Sequence, residues 1–278
     1  CIKLSSGDLL FLPNRRSRSE FCLKIFDKDI LKVSHTLKGH TYKVCGAIEL
    51  RNENIVSYSA GDNNLILWDK KLDYTPNILD GHTAMITSVI EIDSNKLISI
   101  SNDDTIRLWN LNNLTCIAVC EEKNSIESVK RLKKTDHIIY IVKDVVKVVD
   151  TNLKQEYILD EHNDTINNVV ELESGNIVTF DDGYILKVWS VDYKCTKTIE
   201  TDYIVKDIIE LNNGNFIIVH YSNEIYIYDK NFDLLKEFNT SHKKYVEETI
   251  VQEGKLITTD YKTINIWNLE NDELIFEI

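Results

Sequence analysis

The chain has 278 residues, with 32 Lys and Arg against 45 Asp and Glu, a formal net charge of −13, 9 Gly, 2 Pro and 6 Cys. So acidic a molecule disfavours a broad nucleic-acid footprint, which needs a clustered positive face, and so little Pro and Gly argues against disordered linkers. No run of about twenty apolar residues is present to cross a bilayer as a helix. The cysteines, Cys1, Cys22, Cys45, Cys116, Cys120 and Cys195, show neither zinc-ligand spacing nor a small-domain disulfide framework; reduced thiols and a cytoplasmic or nuclear setting are expected.

The first apolar stretch, Ile2-Lys3-Leu4, has the pattern of Ile48-Glu49-Leu50. Residue 1 therefore falls inside a strand, and the chain is expected to be excised from something longer. A basic loop, Pro13-Asn14-Arg15-Arg16-Ser17-Arg18-Ser19-Glu20, holds three of the six Arg and precedes Phe26-Asp27. That aromatic–polar pair returns, in aromatic or apolar form, at Trp68-Asp69, Trp109-Asn110, Val149-Asp150, Trp189-Ser190, Tyr228-Asp229 and Trp267-Asn268, at spacings of 39 to 42 residues. Around each pair the order of elements is the same. The third copy predicts strands over Ile86 to Ile92, Lys96 to Ser101, Thr105 to Trp109 and Thr115 to Val119.

Later copies are punctuated by Ser174-Gly175-Asn176 and Asn213-Gly214-Asn215, residues that tolerate the angles of tight hairpins. The last strand is predicted over Glu273 to Ile278. No window carries helical periodicity. Repeats of about 40 residues with four short strands each predict an all-β fold, a seven-bladed β-propeller with four antiparallel strands per blade. Because propellers grow by adding blades around one axis, residues 1–278 are read as one domain.

A histidine stands before the first strand of several blades, at Gly39-His40, Gly81-His82, Glu161-His162 and Ser241-His242. The 27 residues from His82 to Trp109 separate His162 from Trp189 as well. With Gly81-His82 followed by Leu97-Ile98-Ser99-Ile100-Ser101-Asn102-Asp103-Asp104-Thr105-Ile106-Arg107-Leu108-Trp109-Asn110, the chain resembles the WD-repeat family over essentially its whole length. The resemblance implies a buried hydrogen-bonded tetrad in each complete blade. Its members would be His82, Ser99, Asp103 and Trp109 in blade three, and His40, Ser57, Asp62 and Trp68 in blade two. Blade five offers His162, Thr179 and Trp189, with Gly183 where the corner Asp belongs and Asp181 or Asp182 as substitutes. Blade seven offers His242, Thr258, Asp260 and Trp267 in a corner shortened by one residue. Blades four and six lack both His and Trp, so apolar packing of Val145, Val146 and Val148, and of Ile225, Ile227 and Tyr228, is expected to hold them.

His82, Ser99 and Asp103 are also the ingredients of a nucleophilic triad. A catalytic site occurs once in a chain, however, whereas this set recurs with the blade period and puts its Ser inside a strand. There is no Gly-x-Ser-x-Gly elbow, phosphate-cradling loop or zinc helix, and so no catalytic residue, cofactor or metal site is assigned.

In the family, peptides meet the face carrying the loops into strand one. The residues just after the first apolar position of that strand are Cys45, Thr87, Glu127, Asn167, Lys206 and Glu247. None is Arg, so a pocket for phosphorylated degradation signals is not expected there. Arg15, Arg16 and Arg18 are the candidate grip for an acidic or phosphorylated partner or RNA. Glu49, Glu91, Glu171 and Glu210 recur near the end of strand one and would form a negative rim or plain solvated turns. The resemblance implies a non-catalytic protein–protein interaction scaffold, a monomeric disc within a larger assembly. The alternative is the substrate-recognition part of a larger enzyme, such as a ubiquitin ligase or kinase, with its catalytic part outside this segment.

Overall fold

In the computed structural model, residues 1–13, 21–154, 156–240, 242, 245–260, 262–270 and 273–277 are described. Arg15, Arg16 and Arg18 lie outside them. The described residues form seven four-stranded antiparallel sheets, each with its strands in sequence order, and one turn of 3-10 helix at Lys70–Leu72. Ile- and Val-rich runs make the second and third strands, and Ile138–Val142, Ile177–Asp181 and Phe216–His220 are buried throughout. β-Branched residues suit a strand covered on both faces. Outer strands such as Thr115–Glu121 alternate between exposed and half-buried, as a strand with one wet face does.

The chain divides into two compact units, residues 1–158 and 159–278. The first holds blades one (Ile2–Lys3, Leu9–Phe11, Leu23–Asp27, Lys32–Leu37), two (Val44–Glu49, Ile55–Ser59, Leu65–Asp69, Thr75–Leu79), three (Ile86–Asp93, Lys96–Ser101, Thr105–Asn110, Thr115–Glu121) and, but for its last residue, four (Ile126–Arg131, Ile138–Val142, Val145–Val149, Glu156–Leu159). The second holds blades five (Ile166–Glu171, Ile177–Asp181, Ile185–Trp189, Cys195–Glu200), six (Val205–Glu210, Phe216–His220, Glu224–Tyr228, Leu234–Asn239) and seven (Glu248–Gln252, Lys255–Thr259, Ile264–Asn268, Leu274–Glu277). Every aromatic or apolar residue of the repeat is the last or the next-to-last residue of a third strand. Seven such sheets fit a seven-bladed propeller.

Within each unit the core is divided among successive blade pairs. Leu50, Val56 and Leu67 of blade two pack with Val89, Leu97 and Trp109 of blade three, while Trp68 packs with Leu10, Leu23 and Ile25 of blade one. In the second unit Val178, Phe180 and Leu186 meet Ile208, Ile218 and Tyr226, and Ile217 and Ile225 meet Val246, Leu256 and Trp267. Trp68, Trp109 and Trp267 thus face the preceding blade. Gly39 and Gly81 permit this: a Cβ at Gly39 would come within 3.0 Å of the Trp68 ring, and one at Gly81 within 3.2 Å of Trp109.

Candidate functional site

In blade three Ser99 is fully buried and its Oγ is the hub of a polar chain. Trp109 Nε1–H donates to it at 2.8 Å, and it lies 2.7 Å from His82 Nε2, while His82 Nδ1 is 2.9 Å from Asp103 Oδ2. Burial lowers the His82 pKa against the pull of Asp103, so the ring is neutral. One direction of donation then satisfies every atom: indole to Ser, Ser to Nε2, Nδ1–H to carboxylate. Burial alone would push Asp103 up, but donors from Thr105, the Thr83 backbone and His82 outweigh it and hold the carboxyl at about 2. Blade two repeats the geometry, with Ser57 Oγ 2.8 Å from both His40 Nε2 and Trp68 Nε1, and His40 Nδ1 2.9 Å from Asp62.

In blade five Thr179 Oγ1 is 2.6 Å from His162 Nε2 and accepts from Trp189 at 2.8 Å. The carboxylate comes from Asp181, 2.7 Å from Nδ1, at the end of the second strand itself; Asp182 turns to Asn167 Nδ2 at 2.9 Å. Blade seven joins Asp260 to its histidine through an intermediate hydroxyl. His242 Nδ1 meets Thr263 Oγ1 at 2.7 Å, Thr263 in turn donates to Asp260 at 3.0 Å, and the direct separation from His242 to Asp260 is 3.8 Å. The shortened corner leaves a gap that one hydroxyl bridges. Thr258 still links His242 (2.9 Å) and Trp267 (3.2 Å).

Apolar packing is not all that holds blade four. Glu122 stands one repeat after His82, and Tyr140 pairs with Val129 just as Ser99 pairs with Val89. Tyr140 OH donates to Glu122 Oε1 at 2.8 Å, and Lys147 Nζ reaches Glu122 at 3.0 Å and Glu156 at 2.8 Å. An ion pair with a phenol replaces the His–Ser–Trp set. No repeat of residue type announces it, because Glu122 and Tyr140 differ from the His and the Ser or Thr of the complete blades, and Lys147 stands where Arg107 and Lys187 do rather than where the Trp does.

The candidate partner residues share a feature that sequence reasoning missed. Register shifts fall between Val44 and Gly46, Ile126 and Ser128, Ile166 and Asn168, and Val205 and Asp207, so Cys45, Glu127, Asn167 and Lys206 are β-bulge residues; Thr87 is the same, opposite Ile100/Ser101. A bulge takes a side chain out of the ladder and re-aims it. Cys45, Glu127 and Asn167 are exposed, whereas Thr87 Oγ1 bonds Ile100 O at 3.4 Å. Lys206 Nζ donates to the carbonyls of Val246 and Glu247, tying blade six to seven, and Glu247 N bonds Thr259 O at 2.6 Å.

Three of the four recurrent glutamates, Glu49, Glu91 and Glu210, are staples between blades. Glu49 accepts from Ser5 N at 2.7 Å, Glu91 from Arg51 N at 3.1 Å, and Glu210 from Glu173 N at 2.7 Å, and the three donors are equivalent turn residues. Blade four inverts the polarity, Arg131 donating to Ile92 O. Blade seven carries Val251 instead, and a groove of about 670 Å³ opens there, walled by Leu211, Ile227, Val251 and Leu269.

Among the described residues no group of three His, Cys, Asp or Glu is placed to hold a metal ion, and no helix is long and apolar enough to cross a membrane. A family model described as WD domain, G-beta repeat matches residues 74–110, the segment that carries His82, Ser99, Asp103 and Trp109. That match and the seven four-stranded sheets fit a WD-repeat propeller. Propellers of this kind are generally protein-interaction scaffolds and typically non-catalytic. Among solved structures, the crystal structure of the computationally designed Ika8 protein is similar in fold, with a TM-score of 0.66 and 17% identity over 92% of this chain and 80% of that one. A search of the curated proteins found no match.

Proposed function

We propose that this chain is a non-catalytic scaffold that binds peptides or protein partners on its loop and bulge surfaces. The burial of Ser99 supports this most directly. It has the hydrogen bonds of a triad serine, yet it is wholly inaccessible, its oxygen is taken by the Trp109 indole, and the arrangement recurs at Ser57 and Thr179. A nucleophile must reach its substrate. The exposed bulge residues, Cys45 and Glu127 in the first unit and Asn167 in the second, instead offer side chains for recognition on rigid strand bases. A cytoplasmic or nuclear site of action agrees with six free cysteines.

The test is affinity capture with the 278-residue chain, repeated after charge reversal at Glu127 and Asn167→Arg, and after alanine at Arg15, Arg16 and Arg18. A partner lost with either set, from a protein of unchanged melting temperature, supports the reading. Labelling of Ser99 by a fluorophosphonate in the folded protein would contradict it.

A further inference from the structure

Blade six departs from its neighbours in a way that leaves a charge unmet. The strand-three residue opposite the hub position is Arg107 in blade three, Lys147 in blade four and Lys187 in blade five. Lys147 and Lys187 reach the loop carboxylates Glu122 and Glu161. In blade six this residue is Tyr226, opposite Ile218. Its hydroxyl lies 3.4 Å from Asp202 and 3.3 Å from Glu224, and Glu237 is its partner on the outer strand. None of these three carboxylates forms an ion pair with a described residue.

A second observation comes from beneath. His220 holds the strand-two position that Asp181 holds in blade five, while Thr201, four residues before Val205, takes the place of His162, four before Ile166, so His220 has no loop histidine to pair with as Asp181 does. The blade-five pair is closed at 2.7 Å, and blade six has no such pair. His220 is 1% exposed, and both its ring nitrogens lack a hydrogen-bond partner. Its ring abuts Tyr226 at 4.6 Å and Tyr203 at 6.1 Å, and the Tyr203 ring is 40% exposed. Burial holds His220 at about 4, so it is a neutral ring with an acceptor to offer.

We propose that Asp202, Glu224 and Glu237, with Tyr203, Tyr226 and His220, form a receptor site for an arginine side chain of a partner protein. The incoming guanidinium supplies the cation that blades three to five carry themselves. Three dispersed carboxylates suit a wide fork of five N–H donors better than a compact metal ion, and no metal-holding group is present among the described residues. The exposed Tyr203 ring offers a face for stacking, and the Tyr226 and His220 rings pack beneath it as the floor of the site. The site deepens the scaffold reading and rests on it only in requiring a protein partner.

The probe is the tripeptide Gly-Arg-Gly, titrated into the whole chain while the ring signals of its seven histidines are followed by NMR, with His220 assigned through H220Q. A saturable shift of the His220 signal within about 20 mM peptide is expected, absent with Gly-Gln-Gly and weakened by salt. Asp202→Asn with Glu224→Gln should weaken binding at least tenfold. Tyr226→Lys, which installs the cation of blades four and five, should abolish it in a protein at least as stable, and this serves where the double variant fails to fold. No saturable shift, an equal shift with Gly-Gln-Gly, or undiminished binding by Tyr226→Lys would overturn the site. Partner capture through Glu127, Asn167 or the Arg15 loop would survive that result, so the two failures are distinguishable.

Discussion

Trp109 and His82 meet on one oxygen. The indole N–H and the imidazole Nε2 lie 2.8 and 2.7 Å from Ser99 Oγ, and no other arrangement of a single hydroxyl satisfies both. The hydroxyl accepts from one and donates to the other, which fixes the His82 tautomer and aims Nδ1–H at Asp103.

Removing that hydroxyl strands two buried groups at once. Ser99→Ala is expected to cost about 2–4 kcal/mol, since each unpaired buried polar group costs about 1–3 kcal/mol. Ser99→Thr should lose far less, because Thr179 and Thr258 hold the same position in blades five and seven. Urea denaturation of the two variants makes the comparison.

Stability should fall as pH drops from 7 to 4. Burial holds His220 at about 4 and lowers His82 and His162, against an unfolded value near 6.5. Between those values the unfolded chain binds more protons, so acid favours unfolding; His220 alone accounts for about 2 kcal/mol at pH 5. Asp103, held at about 2, adds stability above its unfolded value near 3.9 that is lost as pH falls towards 2. His220→Phe should flatten the loss between pH 7.5 and 5.0 by about 2 kcal/mol. An unchanged slope would contradict the assignment.

The glutamate staple predicts a local effect. Glu91→Ala should cost about 0.5–1.5 kcal/mol and speed hydrogen exchange at the Arg51 amide, while Glu91→Gln, which keeps an acceptor, should slow it again. Exchange at Glu173, stapled by Glu210, should not change.

Much of the fold could be read from one recurrence. A third strand ends at the aromatic or apolar residue or at the polar one after it, and Trp68, Trp109 and Trp267 reach across to the preceding blade; Phe26 and Val149 kept the phase although neither is Trp. The complete blades were equally visible, since Ser, His, Asp and Trp are residue types that a pattern can count. What escaped was substitution by physical role. Glu122, Tyr140 and Lys147 satisfy one another as His82, Ser99 and Trp109 do, yet share no residue type with them. The bulges at Cys45 and Lys206 leave no mark in composition, and the shift to Asp181 depends on a corner path set by backbone rather than by spacing.

Lys147→Met tests that substitution of roles. The variant leaves the Glu122 side chain, 7% exposed, with the Tyr140 hydroxyl and the weak Cys120 thiol but no cation, and a buried carboxylate that loses its cation costs about 3–5 kcal/mol. Lys147→Met with Glu122→Gln should recover most of the loss in a thermal melt.

The most direct measurement is a double-mutant cycle on Ser99→Ala and Trp109→Phe, read by urea denaturation. If the buried polar chain is what the sequence repeat exists to build, the two changes share one interaction and couple by about 1–2 kcal/mol, the double variant being less damaged than the singles predict. Simple additivity of the two losses, with each variant still folded, would contradict the account.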